Sequence, residues 1–350
     1  MRLGYACVNM TLSNPKRGSG LDKVTTSRTA RKATWEKAGI SMLGDLALLN
    51  AIDLLEYLEW NEQHDIKLFR VGSELFPWHD QYELHDLPQY DEIRDVLREA
   101  GDYARAHGHR LTTHPGPFHC LASANEDVVK KSLIGLERHS ETWDLMGYEP
   151  SFENKINIHI GGAYGDPESA AASWRKNYLR LSDRCRARLV VENDDKASMY
   201  SVQMLYDLIY SELGIPITFD YHHHKFHTSD LTEEQALKLA ATTWPDDVRQ
   251  CTHYSESRRA EYQRLVETAC AAQGIDIADI GDWPELNKIQ DELAKTKEQA
   301  HSDYIIDEID TYGLDIDIMV EAKAKELAVL EYRNIYNKNP KQELILEKEF

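Results

Sequence analysis

The stretch "IPITFDYHHH" (215–224) begins as a run of apolar and β-branched residues and ends abruptly in Asp220 and three consecutive histidines. Such a run reads as a strand. A carboxylate beside imidazoles is also a common ligand mixture for transition metals. A solvated loop after a strand would look the same, so the stretch decides the fold only together with its counterparts. Seven further runs share its form: "RLGYACVN" (2–9), "IKLFRVGS" (66–73), "RLTTHPG" (110–116), "KINIHIGG" (155–162), "ARLVVEND" (187–194), "VRQCTHYS" (248–255) and "LDIDIMVEAK" (314–323). Helix-length stretches separate them, such as 43–64, where Leu46, Leu49, Ile52, Leu55 and Leu58 recur at helical spacing. Eight βα units in 350 residues fit an α/β fold, the (β/α)8 TIM barrel. A doubly wound open sheet is the competing topology, but no GxGxxG or GKS/GKT loop follows the first strand.

The ionisable residues sharpen this reading. A barrel builds its active site at the C-terminal ends of its strands. Here those ends carry His114, His159, Glu192, Asp220 with the histidine run, His253 and Glu321. Structural histidines scattered at random would not select strand ends so consistently, and a polynuclear metal centre is the expectation. Glu192, Asp220 and Glu321 are its candidate catalytic carboxylates. Glu192, Asp220, His253 and Glu321 could hold one ion, leaving His114, His159, His223 and His301 for others. Several ions at close spacing suit phosphodiester cleavage, whereas one or two on the same barrel would serve sugar isomerisation or epimerisation. Both chemistries stay open on the residues alone. Not every histidine belongs to the centre. His64 is expected to cap a helix end, His107 and His109 to lie on the surface at the opposite rim, and His139 to be an exposed helix residue. His79, His85 and His119 fall in loops on the functional side, where substrate contact and plain solvation are equally good readings.

Composition bounds the partners. The net charge of −20 argues against diffuse attraction to nucleic acid. A local basic face survives: residues 1–40 carry Arg2, Lys16, Arg17, Lys23, Arg28, Arg31, Lys32 and Lys37 against only Asp22 and Glu36. No apolar run approaches the roughly 20 residues that span a bilayer, so no membrane partner is expected. The five cysteines form no CxxC pair, which fits a reduced setting: cytoplasmic, nucleoid-associated in a bacterium, archaeon or virus, nuclear in a eukaryote. The start "MRLGYACVNM" is too short and polar for a signal peptide. The whole of 1–350 is expected to be one barrel domain, with a helical insertion over about 257–299 near the seventh strand and a polar tail over about 334–350.

At the level of whole motifs the chain resembles the UV damage endonucleases, xylose-isomerase-like TIM barrels related to the three-metal apurinic endonucleases. The matching pieces run in the family's order: "RLGYACVN", "NAIDLLEYLEWNEQHDIKLFRVGSELFP", "THPGPF", "INIHIGG", "VVEND", "FDYHHH", "THYS", "HSDYI" and "DIMVEAKAKELAVL". The resemblance implies a DNA-repair endonuclease that cuts 5′ to UV photoproducts in damaged double-stranded DNA and leaves a 3′-hydroxyl. It implies a monomer with two or three divalent ions, typically manganese. One ion would sit on His114, His159 and Glu192; a second on Glu192, Asp220, His253 and Glu321; a third on His223 and His301. Strand alternation from Asp220 points to His222 as the next inward residue. The family pattern takes His223 instead, which requires the backbone to leave strand geometry after Tyr221 and leaves His222 a possible supporting ligand. Tyr5 and Asn9 match positions beside the metals and lesion. Two departures stand out. Where the family has glutamine and an aromatic probing the damaged stack, this chain has Pro117 and Phe118, so the wedge survives and an amide is lost. Where the family has a lysine, often carboxylated on a metal, stands Cys251, a softer possible ligand. A non-catalytic binder of distorted DNA is the reading if that change empties the centre.

Overall fold

Each of the eight runs contains a strand in the computed structural model, which describes residues 1–15, 22–274, 276 and 284–336. The strands are β1 (Leu3–Ala6), β2 (Leu68–Val71), β3 (Arg110–Thr113), β4 (Ile156–Ile158), β5 (Leu189–Glu192), β6 (Ile217–Thr218), β7 (Cys251–Tyr254) and β8 (Asp317–Val320). All are parallel, in the order β6-β5-β4-β3-β2-β1-β8-β7. A single bridge between Asp220 and His253, with the His253 amide donating to Phe219 O at 2.9 Å, ties β6 to β7 and brings the sheet round into a barrel. Parallel neighbours need crossovers, and the helices between the strands supply them.

Side chains alternate along a strand, so every second residue faces the barrel axis. Ala6, Leu68, Val190, Cys251 and Met319 pack together there, with Trp244 and Val248 beneath them. Gly4 belongs to the same face, where a Cβ would collide with the Leu68 carbonyl of the adjoining strand. The floor is polar. Buried Arg110 pairs with buried Asp317 at 3.1 Å and donates to Arg249 O at 2.7 Å. The complementary faces, including Tyr5, Phe69, Leu111 and Val191, join the larger core under the helices.

The helix expected over 43–64 forms as Ile40–Gln63, but its buried stripe differs from the expected one. Leu49 and Ile52 are each 45% exposed. Leu58 is buried as expected, and the other core-facing residues are Leu43, Ala47, Ala51 and Leu54, with Asn50, Asp53 and Asn61 buried among them. Small Ala47 and Ala51 leave room for close approach to the barrel, and Asn50 and Asp53 bond the 25–28 backbone. After β7, helices Arg258–Gln273 and Pro284–Lys295 pack on each other through Val266, Cys270 and Leu286. The chain returns to the rim where Ser257 bridges His301. Helix Glu326–Tyr336 takes in the start of the polar tail, and the rest of the tail lies outside the described residues. Among the described residues no single helix is long and apolar enough to cross a membrane.

Candidate metal centre

Glu192 is the last residue of β5 and the hub of the rim. Its Oε2 lies 3.1 Å from His114 Nε2 and 3.8 Å from His159 Nε2; its Oε1 lies 3.1 Å from His253 Nδ1 and 3.4 Å from His223 Nδ1. Glu321 Oε1 approaches the same His253 nitrogen at 3.2 Å. Two groups of ligand atoms emerge, His114–His159–Glu192 and Glu192–Asp220–His253, each within 4.8 Å. The six strand ends therefore converge, with Glu192 as their hub.

Asp220 and His223 come together because β6 stops early. Asp220 is extended at the helix N-cap position and its carboxylate accepts the His223 amide at 2.7 Å. Residues Tyr221–His224 make one helical turn, which returns His223 to Asp220's side, Nδ1 at 3.9 Å from Oδ1. His222 is carried away from Glu192; it is buried, with Nε2 3.2 Å from Gln299 O. His301 stands near both, its ring 5.3 Å from that of His222 and 6.5 Å from that of His223, and its Nδ1 meets Ser255 Oγ at 2.6 Å.

The electrostatics suit cations. Burial works against the charge on Glu192, yet the imidazoles around it, His253 and His159 foremost, hold its carboxyl well below the usual range. Burial also opposes charge on Glu321, which the Arg70 guanidinium keeps ionised. Asp220 is pushed up to about 7, by burial first and then by Glu192 and Glu321. Asp220 Oδ2 is buried with no hydrogen-bond partner, and His253 Nδ1 has only the carboxylate oxygens of Glu192 and Glu321 near it. Three carboxylates crowded with imidazole nitrogens fit divalent ions.

Several supporting residues escaped the sequence reading. Asp194 Oδ1 lies 3.2 Å from His159 Nδ1, the carboxylate–histidine arrangement that fixes a metal-facing ring. The Asn157 amide donates to Glu192 Oε2. Lys155, wholly buried, donates to Thr218 Oγ1 at 2.8 Å, Cys251 O at 3.1 Å and Asn157 Oδ1 at 3.2 Å, and its Nζ lies 3.3 Å from His253 Nε2. Burial pushes its amine down to about 8. The available signal was alternation: Lys155, Asn157 and His159 are successive inward residues of one strand.

Other expectations change. Cys251 sits below the rim in the apolar interior cluster, outside both ligand groups, because it lies two residues before His253 on β7. Tyr5 and Asn9 are fully buried: Tyr5 OH donates to Asn61 Oδ1 at 2.8 Å and accepts from Asn9 Nδ2 at 3.0 Å. Strand alternation turns Tyr5 toward helix Ile40–Gln63, away from the cleft. Pro117 lines an open cleft of ≈ 1200 Å³ with Arg70, His114, His159 and Glu321, and Phe118 beside it is 87% exposed. His109 is buried against Glu62 at 2.7 Å rather than on the surface, while His107 is exposed. His139 is only 7% exposed. His64 caps its helix as expected, stacked on Trp60. The basic stretch divides: Arg2 pairs with Asp317 and Glu153 at the barrel floor and Arg28 with Asp53. Lys23, Arg31, Lys32 and Lys37 remain exposed, and Lys16 and Arg17 lie outside the described residues.

Comparison with known proteins bears on the family and the fold. The family model described as "UV-endonuclease UvdE" matches residues 1–343. A UV-damage endonuclease of Schizosaccharomyces pombe is 33% identical over 348 residues, 97% of this chain and 51% of that protein, so the chain spans about half the length of that relative. The crystal structure of SacUVDE superposes with a TM-score of 0.73 at 25% identity, covering 97% of this chain and 98% of that one. Endonuclease IV from Thermus thermophilus shares the fold, with a TM-score of 0.51 and 13% identity over 82% of this chain and 95% of that one.

Proposed function

We propose, for a chain that belongs to the UV-endonuclease UvdE family, a metal-dependent DNA-repair endonuclease that cuts the phosphodiester 5′ to UV photoproducts or other distorting lesions and leaves a 3′-hydroxyl. The observation that carries this reading is the convergence of four imidazoles on Glu192 at 3.1–3.8 Å. His114, His159 and Glu192 would hold one divalent ion, and Glu192, Asp220, His253 and Glu321 a second. His223 and His301 would complete a third, with manganese the expected metal. Bound there, the ions supply charge to offset the phosphoryl oxygens and acidify a water.

The chain's own groups do the rest. Asp194 holds His159 with its Nε2 turned toward Glu192, and Asn157 and Lys155 brace Glu192 and His253 from below. Asp220, whose carboxyl pKa is raised by burial, Glu192 and Glu321, would be kept ionised by a bound cation and so serves as a ligand. Exposed Phe118 can enter a destabilised base stack, and Pro117 keeps that turn rigid without offering an amide. Exposed Arg31 and Lys32 follow Thr29 and Ala30, which line the cleft beside Phe118, and are positioned for phosphate. In this reading the substrate is damaged duplex DNA, met by a local basic edge on an acidic molecule. A sugar-isomerase reading and a non-catalytic reading have no observation of their own here.

Glu192→Ala removes the shared ligand of two ion sites and is expected to lower nicking of damaged duplex by on the order of 10³-fold or more, since several kcal/mol of charge stabilisation go with the ions. Retained nicking in a variant with wild-type circular dichroism would show that the ligand assignment is wrong.

A further inference from the structure

A second imidazole cluster stands outside the rim. His79, on the loop after β2, His119, on the loop after β3, and His139, on helix Glu126–Leu145, bring ligand nitrogens within 4.8 Å of one another. Their ring centroids are 4.8 Å (His79–His139), 5.9 Å (His119–His139) and 6.4 Å (His79–His119) apart. With metal–nitrogen bonds of about 2.0–2.1 Å, tetrahedral neighbours lie roughly 3.4 Å apart, so small ring rotations would close the set.

Five observations point to a ligand. His139 Nε2 is buried with no hydrogen-bond partner in a residue 7% exposed. A buried polar atom left unpaired costs about 1–3 kcal/mol unless something binds it. His79 and His139 line one small cavity together with Thr113 and Trp143. His119 Nδ1 donates to Gly116 O at 3.0 Å, which fixes the tautomer that leaves Nε2 with a free lone pair. That Nε2 faces Gly135, one turn before His139 on the same helix; a Cβ at Gly135 would collide with it. His79 is delivered by Trp78 in the left-handed region (φ 59°), a strained conformation for a bulky side chain.

The ring chemistry is right for a metal. Burial keeps all three imidazoles below their usual pKa, His79 at about 4, so they are neutral ligands rather than mutually repelling cations. Asp80 acts on both His79 and His119 and brings negative charge, opposed in part by Arg138.

We propose that His79, His119 and His139 form a separate site for one transition dication of the zinc class, which staples the 114–119 loop carrying Phe118 to helix Glu126–Leu145. An all-imidazole set favours zinc, cobalt, nickel or copper over the oxygen-seeking manganese, magnesium and calcium. The site shares no ligand with the Glu192 centre, so it stands whether or not the endonuclease reading holds.

The test uses the full chain, loaded with zinc and freed of excess, with metal content measured by mass spectrometry. His119→Ala and, separately, His79→Ala are expected to lose one zinc equivalent with unchanged circular dichroism, whereas Glu192→Ala keeps that equivalent. In the wild type, zinc is expected to slow hydrogen exchange at amides 116, 118 and 119, and in both histidine variants it does not. Equal zinc content in wild type and histidine variants overturns the site, as does loss of the same equivalent in Glu192→Ala. Zinc-independent exchange in the wild type overturns the staple.

Discussion

His159 and His223 carry the strongest pH signature of the rim. Burial alone would neutralise both rings, but Glu192 and Asp194 push His159 up to about 10, and Asp220 and Glu192 push His223 up to about 9. Without metal both rings hold a proton at neutral pH, and an incoming ion must displace it. The metal-free state thus binds more protons than the loaded one, so affinity is expected to rise with pH between about 7 and 9 and to fall on acidification. Calorimetric titration of Mn²⁺ in two buffers of different ionisation heat reads the released protons directly. Heats independent of the buffer, with affinity flat across that range, would contradict the pairing of His159 and His223 with these carboxylates. At this scale the ligands were legible because each ends a strand. Lys155, Asn157 and Asp194 were not, because their partners come from other strands of the barrel, distant in sequence.

At the scale of the element, the turn after β6 and the loop after β3 do what an ideal strand cannot. One helical turn after Asp220 selects His223 over His222, a change from period two to three that alternation alone does not supply. The loop after β3 projects Phe118 from the rim while His119 packs back against the helix at Gly135. Phe118→Ala is expected to weaken binding to damaged duplex by about 5- to 150-fold, since stacking one base on an aromatic ring contributes about 1–3 kcal/mol. Metal content should not change. Fluorescence anisotropy with damaged and undamaged duplex checks this, and equal affinity of variant and wild type for damaged DNA would rule out the wedge. Two helical stripes were misphased for one reason. The polar run "ERHSE" hides His139, yet Ser132, Leu136, His139 and Trp143 fall on one buried face at helical spacing. Similarly, Ala47 and Ala51, rather than the larger Leu49 and Ile52, face the barrel.

Across the whole molecule, the barrel axis is a graded polar column. Arg110 and Asp317 hold the floor, the apolar layer of Ala6, Leu68, Val190 and Met319 lies above with Lys155 reaching past it, and the ligand ring crowns the rim. Buried charge of this kind is costly unless paired; Arg110 has Asp317 at the floor, while at the rim Asp220 Oδ2 is left without a hydrogen-bond partner beside Glu192 and Glu321. The fold was legible because eight similar runs repeat along the chain. The acidic balance was legible as composition, but the fate of the basic stretch was not: among the described residues Arg2 and Arg28 are consumed by carboxylates distant in sequence, while Lys23, Arg31, Lys32 and Lys37 stay exposed. The central claim, lesion-dependent incision by the Glu192 centre, is tested most directly by incubating the protein and Mn²⁺ with an end-labelled UV-irradiated duplex beside an undamaged one. The expected result is a nick immediately 5′ to the photoproduct, bearing a 3′-hydroxyl, in the irradiated strand alone. Absence of a lesion-dependent nick at every salt concentration tried would contradict the account.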